Sequence, residues 1–196
     1  MVEDDAPVLE VGLPKIGPVQ EAIGKYVADL IEDGSTLQIG YGGIPDAVVM
    51  QLTNKRDLGI HTEMLGDGIL TLVEAGVVTN RRKNYMPGKM VATFALGSKK
   101  LHQFMDRNPM LEMHPVNFTN DPFLAGQNDN LMSINATLQI DFLGQCGSES
   151  LGPLPFHLPA DRPTLYARPI APKAVNRSLC CPQRPKTIPC HASHPC

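Results

Sequence analysis

Apolar residues recur along the first 150 or so positions in two alternating rhythms. Across residues 18–33, Ile23, Val27, Leu30 and Ile31 return at helical spacing, with Glu21, Lys25 and Asp29 between them. Pro18 suits the first helical turn and Gly34 is a stop signal. Residues 35–39 then read as a short strand. The glycine-rich loop Gly40-Tyr41-Gly42-Gly43-Ile44-Pro45 follows, and after it a helix over 46–52. Residues 58–64 form a second predicted strand, which runs into a turn at 65–68. A helix over 69–74 closes at Gly76. Further strands are predicted at 90–96 and, the longest, at 131–142. A helix capped by Ser98 spans 98–107, and 110–116 is an extended segment. The alternation predicts βαβ units, and so an α/β fold: a mostly parallel sheet with flanking helices. Ligand sites in such sheets form beyond the C-terminal ends of strands. The loop after Ile39 and the turn after Met64 occupy that place.

Composition divides the chain near Gly152. All 17 glycines lie at or before that residue, with 8 of the 18 prolines. The last 44 residues carry the other 10 prolines, four of the five cysteines, and six Lys or Arg against one acid, Asp161. The helical and strand periodicities stop at the same point, so residues 156–196 are expected to be an irregular, disordered tail. The net charge of −3 gives no reason to expect nucleic acid or a membrane surface as partner. No apolar run reaches membrane-spanning length, and the acidic start lacks the plan of a signal peptide, so the expected compartment is the cytoplasm.

The chemistry-bearing residues admit plain readings beside functional ones. The glycine loop reads equally as a tight strand-to-helix turn and as an anion cradle of backbone N–H groups. Pro45 stands where a dinucleotide fingerprint needs its third glycine. In His61-Thr62-Glu63-Met64 a carboxylate ends a strand, where it can act as nucleophile or base, although a surface glutamate is the plainer reading. Glu149, among glycine and serine, competes with it. Asn117, Asn120, Asn128, Asn130 and Asn135 suit turn capping first and oxyanion contacts second. His102 and His114 lack partner spacing. Cys180, Cys181, Cys190, His191, His194 and Cys196 match no common zinc pattern, and no metal site is expected.

Five stretches carry a resemblance: Leu37 to Val48 (LQIGYGGIPDAV), Leu58 to Gly68 (LGIHTEMLGDG), Glu74 to Asn80 (EAGVVTN), Asn117 to Asn130 (NFTNDPFLAGQNDN) and Ser133 to Gly152 (SINATLQIDFLGQCGSESLG). Together they resemble the acetyl-CoA hydrolase/transferase family, which includes acetate, butyrate and 4-hydroxybutyrate CoA-transferases. The resemblance implies a linker remnant at 1–17 and an incomplete C-terminal-type catalytic domain at 18–155. It makes Glu63 the nucleophile, which decides between it and Glu149. It makes the Ile44 backbone amide an oxyanion donor, Asn135 a neighbour of the acyl group, and Gly42, Gly43 and Pro45 part of the substrate site. A coenzyme A thioester is implied as substrate, with no cofactor and no metal. The implied partners are an acyl-CoA and a short-chain carboxylate, and the full-length family suggests a homo-oligomer. The family's second oxyanion amide belongs to a glycine-rich segment that should follow Pro155. Here residues from about 156 onward instead read as the product of a shifted frame. Crippled turnover is therefore expected. Acyl-CoA hydrolysis, a non-catalytic CoA- or nucleotide-binding module, and a pseudogene product are the alternatives.

Overall fold

The structure, a computed structural model, describes residues 8–12, 15–148, 150–151, 154–155 and 177–182. Helix α1 (Pro18–Asp29) starts with proline in its first turn, and the Gly17 N–H donates to the Gln20 side chain at 3.2 Å. It ends four residues before the position expected from the apolar spacing. Gly34 instead supplies a left-handed turn, with φ 81°. Strand β1 (Thr36–Ile39) is buried along its whole length, as a central parallel strand must be.

Helix α2 (Gly43–Met50) begins three residues before the expected start. Proline is tolerated in a first turn, where its missing N–H has no helical partner to lose, so Pro45 lies within the helix. The loop is thus only three residues long, and Gly42 turns the chain at φ 128°, a conformation that side chains rarely adopt. The single strand expected at 58–64 is two, β2 (Gly59–Ile60) and β3 (Met64–Leu65), separated at Thr62 and Glu63. Helix α3 is Asp67–Glu74. The strand expected at 90–96 also divides, into β4 (Met90–Ala92) and β5 (Phe94–Ala95). Helix α4 (Lys99–Met105) has Ser98 at its N-cap position. The serine hydroxyl does not cap it, however, because it donates to the Asp67 carboxylate at 2.6 Å instead.

After β6 (Leu111–Met113) come two one-turn helices that the hydrophobic rhythm does not reveal, α5 (Val116–Thr119) and α6 (Pro122–Ala125). The expected long strand at 131–142 is β7 (Leu131–Thr137) plus β8 (Gln139–Ile140), which turns back antiparallel on β9 (Cys146–Gly147). A short antiparallel pair, β10 (Ser150–Leu151) and β11 (Leu154–Pro155), follows. Most of the tail, with Cys190, His191, His194 and Cys196, lies outside the described residues. The exception is Arg177–Pro182, which forms β12 rather than irregular chain and pairs in parallel with β7.

The main sheet runs β12-β7-β1-β2, all parallel. A bridge between His61 and Val91 and the parallel β4–β6 pair continue the strand pairing on the β2 side. The chain therefore leaves β1 in one direction to reach β2, and β7 returns on the other side. That makes β1 the reversal point in strand order, where open α/β sheets form their crevice. Leu37, Ile39, Val48, Val49, Ile60 and Ile134 form the centre of the core, all with 4% exposure or less.

Candidate active site

The loops beyond β1, β2 and β7 meet at the C-terminal edge of the sheet. Thr62, fully buried, ties the first two together. Its hydroxyl accepts from the Ile39 N–H at 3.1 Å and directs its proton at the Ile39 carbonyl (3.1 Å) or that of Met64 (3.2 Å). The next residue, Glu63, lies in the gap between β2 and β3. Its backbone carbonyl accepts from the Thr93 and Phe94 N–H groups at 2.9 and 3.1 Å. Its half-buried carboxylate accepts a 2.7 Å hydrogen bond from the Asn120 side-chain amide. A hydrogen bond that short, donated to a charged acceptor, belongs to the stronger class.

On the β1 side, Ile44 is buried and lies in the first turn of α2. The leading N–H groups of a helix lack intrahelical partners and attract negative charge. On the β7 side, Gly40 donates its N–H to the Ile134 carbonyl at 2.9 Å. The Asn135 side chain lies against Gly40, in space that a Cβ there would fill. Its amide donates to Gln38 Oε1 and Ser133 Oγ, each at 3.0 Å, and the Ser133 hydroxyl also donates to Gln38. Gly42, Gly43 and Pro45 accompany Ile44 at the same edge. Glu149 lies outside the described residues. Among those described, no group of three His, Cys, Asp or Glu could hold a metal ion, and no helix is long and apolar enough to cross a membrane.

Several residues emerge only from the three-dimensional arrangement. Asn120, one of five asparagines equally suited to turns, is the one that reaches Glu63. His61 is 1% exposed and donates its Nε2–H to the Thr119 carbonyl at 2.8 Å. Burial pushes its pKa down to about 4, and the fields of Lys83 and His114 act in the same direction. Lys83 is also buried. Its ammonium donates to the Ile60 and Lys89 carbonyls at 2.9 and 2.7 Å, and burial lowers its pKa to about 7. His114 stacks on Phe118 at 4.1 Å between ring centres and bonds to Glu112 at 3.1 Å, an ordinary packed histidine.

A separate cleft of about 480 Å3 opens between α1, α2 and α3, lined in part by Glu21, Asp46, Met50 and Asp67. Glu63 is not among its walls. Burial, followed by the charge of Asp67, raises the Asp46 pKa to about 6 from a usual 3.8. Between those two values the folded chain holds a proton that the unfolded chain has released. Stability therefore falls as pH rises from 3.8 to 6, and the penalty is complete above 6. The full shift corresponds to about 3 kcal/mol. Partial solvent screening, and the favourable helix N-terminus on which Asp46 lies, reduce this to about 1 kcal/mol. Asp46→Asn is accordingly expected to stabilise the chain by about 1 kcal/mol at pH 7 and by nothing at pH 3.5. Urea denaturation at the two pH values checks this.

A family model for the acetyl-CoA hydrolase/transferase C-terminal domain matches residues 97–157. The chain is 54% identical over 156 residues to a succinyl-CoA:cyclohexane-1-carboxylate CoA transferase of Geobacter metallireducens, covering 80% of this chain and 36% of that protein. It is 51% identical over 152 residues to a 4-hydroxybutyrate coenzyme A transferase of Clostridium kluyveri, covering 78% and 35%. Among solved structures, a 4-hydroxybutyrate CoA-transferase from Porphyromonas gingivalis superposes with a TM-score of 0.71 at 43% identity, over 74% of this chain and 37% of that one. RipA from Yersinia pestis does so with a TM-score of 0.72 at 42% identity, over 74% and 34%. The chain is therefore similar, over residues 97–157, to the C-terminal domain of the acetyl-CoA hydrolase/transferase family and, over most of its length, to a third of proteins named as CoA transferases. It spans about a third of the length of these curated relatives.

Proposed function

We propose that this chain carries the glutamyl chemistry of a CoA-transferase, moving CoA between an acyl-CoA and a short-chain carboxylate of the acetate, butyrate or 4-hydroxybutyrate class. The observation that carries this reading is the Glu63 carboxylate: half-buried, bonded to Asn120, and tied through Thr62 to the loop that leads into α2. A Glu63 oxygen attacks the thioester carbonyl. The electron pair moves onto the carbonyl oxygen, where the Ile44 amide at the start of α2 stabilises it. Collapse breaks the C–S bond, releases CoA thiolate and leaves an acyl-glutamyl anhydride. The thiolate then attacks the Glu63 carbonyl carbon, expels the first carboxylate and forms a glutamyl-CoA thioester. An acceptor carboxylate repeats these steps in reverse and leaves as the new acyl-CoA. No net proton is consumed. The anhydride survives only where water is kept away, which suits a carboxylate drawn back from solvent. Asn135, held by Gln38 and Ser133 beside Gly40, lines the acyl side, and Gly42, Gly43 and Pro45 form the wall on the α2 side.

Hydrolysis is the competing outcome, with water replacing the acceptor. Turnover by this chain is expected to be weak, because the segment after Pro155 lacks the glycines for a second oxyanion amide. One such donor is typically worth about 2.7–4 kcal/mol. Intact-mass spectrometry after incubation with butyryl-CoA should reveal a hydroxylamine-sensitive adduct that maps to Glu63. Added acetate should then yield acetyl-CoA. Free CoA without acetyl-CoA would assign hydrolysis, and an adduct on any other residue would sink the reading.

A further inference from the structure

Glu63 is bonded to Asn120, and Asn120 stands on weak local structure. It follows α5 and precedes α6, each a single turn of four residues. Helices this short do not hold themselves in water, so other contacts must fasten the pair. Asp121 caps α6, its carboxylate accepting from the Phe123 and Leu124 N–H groups at 2.8 and 3.0 Å. Asn128 donates to the Ala125 carbonyl at 3.3 Å and accepts from the Tyr85 N–H at 3.2 Å. Both of these act on the α6 side of Asn120. On the α5 side, the Thr119 carbonyl is the terminal acceptor of a helix, a group with no intrahelical donor. Buried His61 supplies that donor. Ring packing reinforces the fastening, with His61, Tyr85 and Phe118 following one another at centroid separations of 6.5 and 6.2 Å.

We propose that His61 is a positioning residue for Glu63, acting through the Thr119 carbonyl and the side-chain amide of Asn120. The inference rests on Glu63 being the nucleophile only for its catalytic meaning. The physical linkage stands without it. His61 and Glu63 are two residues apart on the segment that joins β2 to β3, so one short stretch of chain carries both the carboxylate and the anchor of the group that orients it. The loop with Asn120 is thereby registered to Glu63 itself rather than to a distant part of the fold. Among the described residues, His61 Nδ1 is buried without a partner. Nothing there competes for the ring proton, so the Thr119 carbonyl fixes the Nε2–H tautomer. Burial keeps the ring neutral near pH 7.

Two variants and one measurement on the unaltered chain test this. Glutamine presents an N–H at the reach of histidine Nε2, whereas leucine fills the space without a donor. In His61→Leu, hydrogen exchange of the Asn120 carboxamide should quicken about tenfold while the backbone amides of β1 keep their protection. In His61→Gln it should return towards the original rate. A general loss of structure would instead quicken both sites, and equal Asn120 exchange in folded wild-type and His61→Leu chains overturns the proposal. Should His61→Leu fail to fold, nitrogen NMR of the wild-type imidazole decides the matter. The Nε2–H tautomer with a slowly exchanging proton at pH 7 supports the proposal, and the Nδ1–H tautomer or an imidazolium overturns it. None of these readouts requires thioester chemistry. A chain that shows the coupling but never acylates Glu63 retains this inference and loses the CoA-transfer reading. Equal acylation rates in wild type and His61→Leu would remove the positioning role while leaving that reading intact.

Discussion

Gly24→Ala is expected to cost about 2 kcal/mol of stability, although the substitution should improve the intrinsic helix propensity of α1 by about 1 kcal/mol. A Cβ at position 24 would lie 2.7 Å from the Ala47 carbonyl oxygen, 2.8 Å from its carbon and 3.1 Å from the Val48 nitrogen. All three are backbone atoms of α2, so no side chain can swing aside and the helices must separate. The cost reaches the site because α2 begins at Gly43, directly after the positive-φ turn at Gly42. Moving α2 away from α1 therefore drags the Ile44 amide from its place beside β1. Urea denaturation should show a lower midpoint with an unchanged slope, since the unfolded chain exposes nearly the same surface. Lys25→Ala, on the exposed side of the same helix, serves as the control and should change stability by no more than about 0.5 kcal/mol. Equal midpoints for Gly24→Ala and the wild type would mean that the two helices are not pressed together as described.

The α/β class and the order of its major elements were legible from hydrophobic spacing, because burial dictates that spacing directly. Strand β1 was expected at 35–39 and spans Thr36–Ile39. Boundaries near the site were harder to read, and for a shared reason: local rules yield there to long-range contacts. The strand through residues 58–64 breaks because Thr62 turns inward to Ile39 while the Glu63 carbonyl is taken by the β5 side. Neither event leaves a trace in the local pattern. Ser98 has the identity and position of a helix cap, yet its hydroxyl serves Asp67, 31 residues away. The helices α5 and α6 are too short to show a period. The sequence Asp121-Pro122 did carry a usable signal, a capping residue followed by proline at the first helical position.

The site divides in the same way. Glu63 and the glycine loop could be located at strand ends, but on local pattern Glu63 could not be told from a surface glutamate, or from Glu149. The family resemblance chose it. Asn120 was not distinguishable from Asn117 or Asn128, because the amide that caps a turn is also the amide that binds a carboxylate. Only the fold brings residue 120 to residue 63, across 57 positions. His61 was overlooked because a buried histidine at a strand end looks like core. Its hydrogen bond becomes notable once the Thr119 carbonyl is seen to need a donor.

Glu63→Gln is expected to reduce formation of the covalent acyl adduct by about a thousandfold or more, with little change in stability. Glutamine keeps the length of the side chain and an oxygen that can accept from Asn120, so the surrounding fold has no reason to move. It removes the anionic oxygen that attacks in the proposed mechanism, and an amide oxygen is a poor substitute for a carboxylate at a thioester carbonyl. Glu63→Asp provides the complementary case. It retains the charge but shortens the side chain by one methylene, withdrawing the carboxylate from both Asn120 and the thioester. Its adduct should form at a rate between those of Glu63→Gln and the wild type. The ordering wild type, then Asp, then Gln separates nucleophilic attack from simple charge attraction, under which Asp would match the wild type. Quenched-flow mass spectrometry with saturating acyl-CoA measures the single-turnover rate directly and is insensitive to slow product release. If Glu63→Gln acylated at the wild-type rate while thermal unfolding was unchanged, the nucleophile would have to be sought elsewhere in the chain.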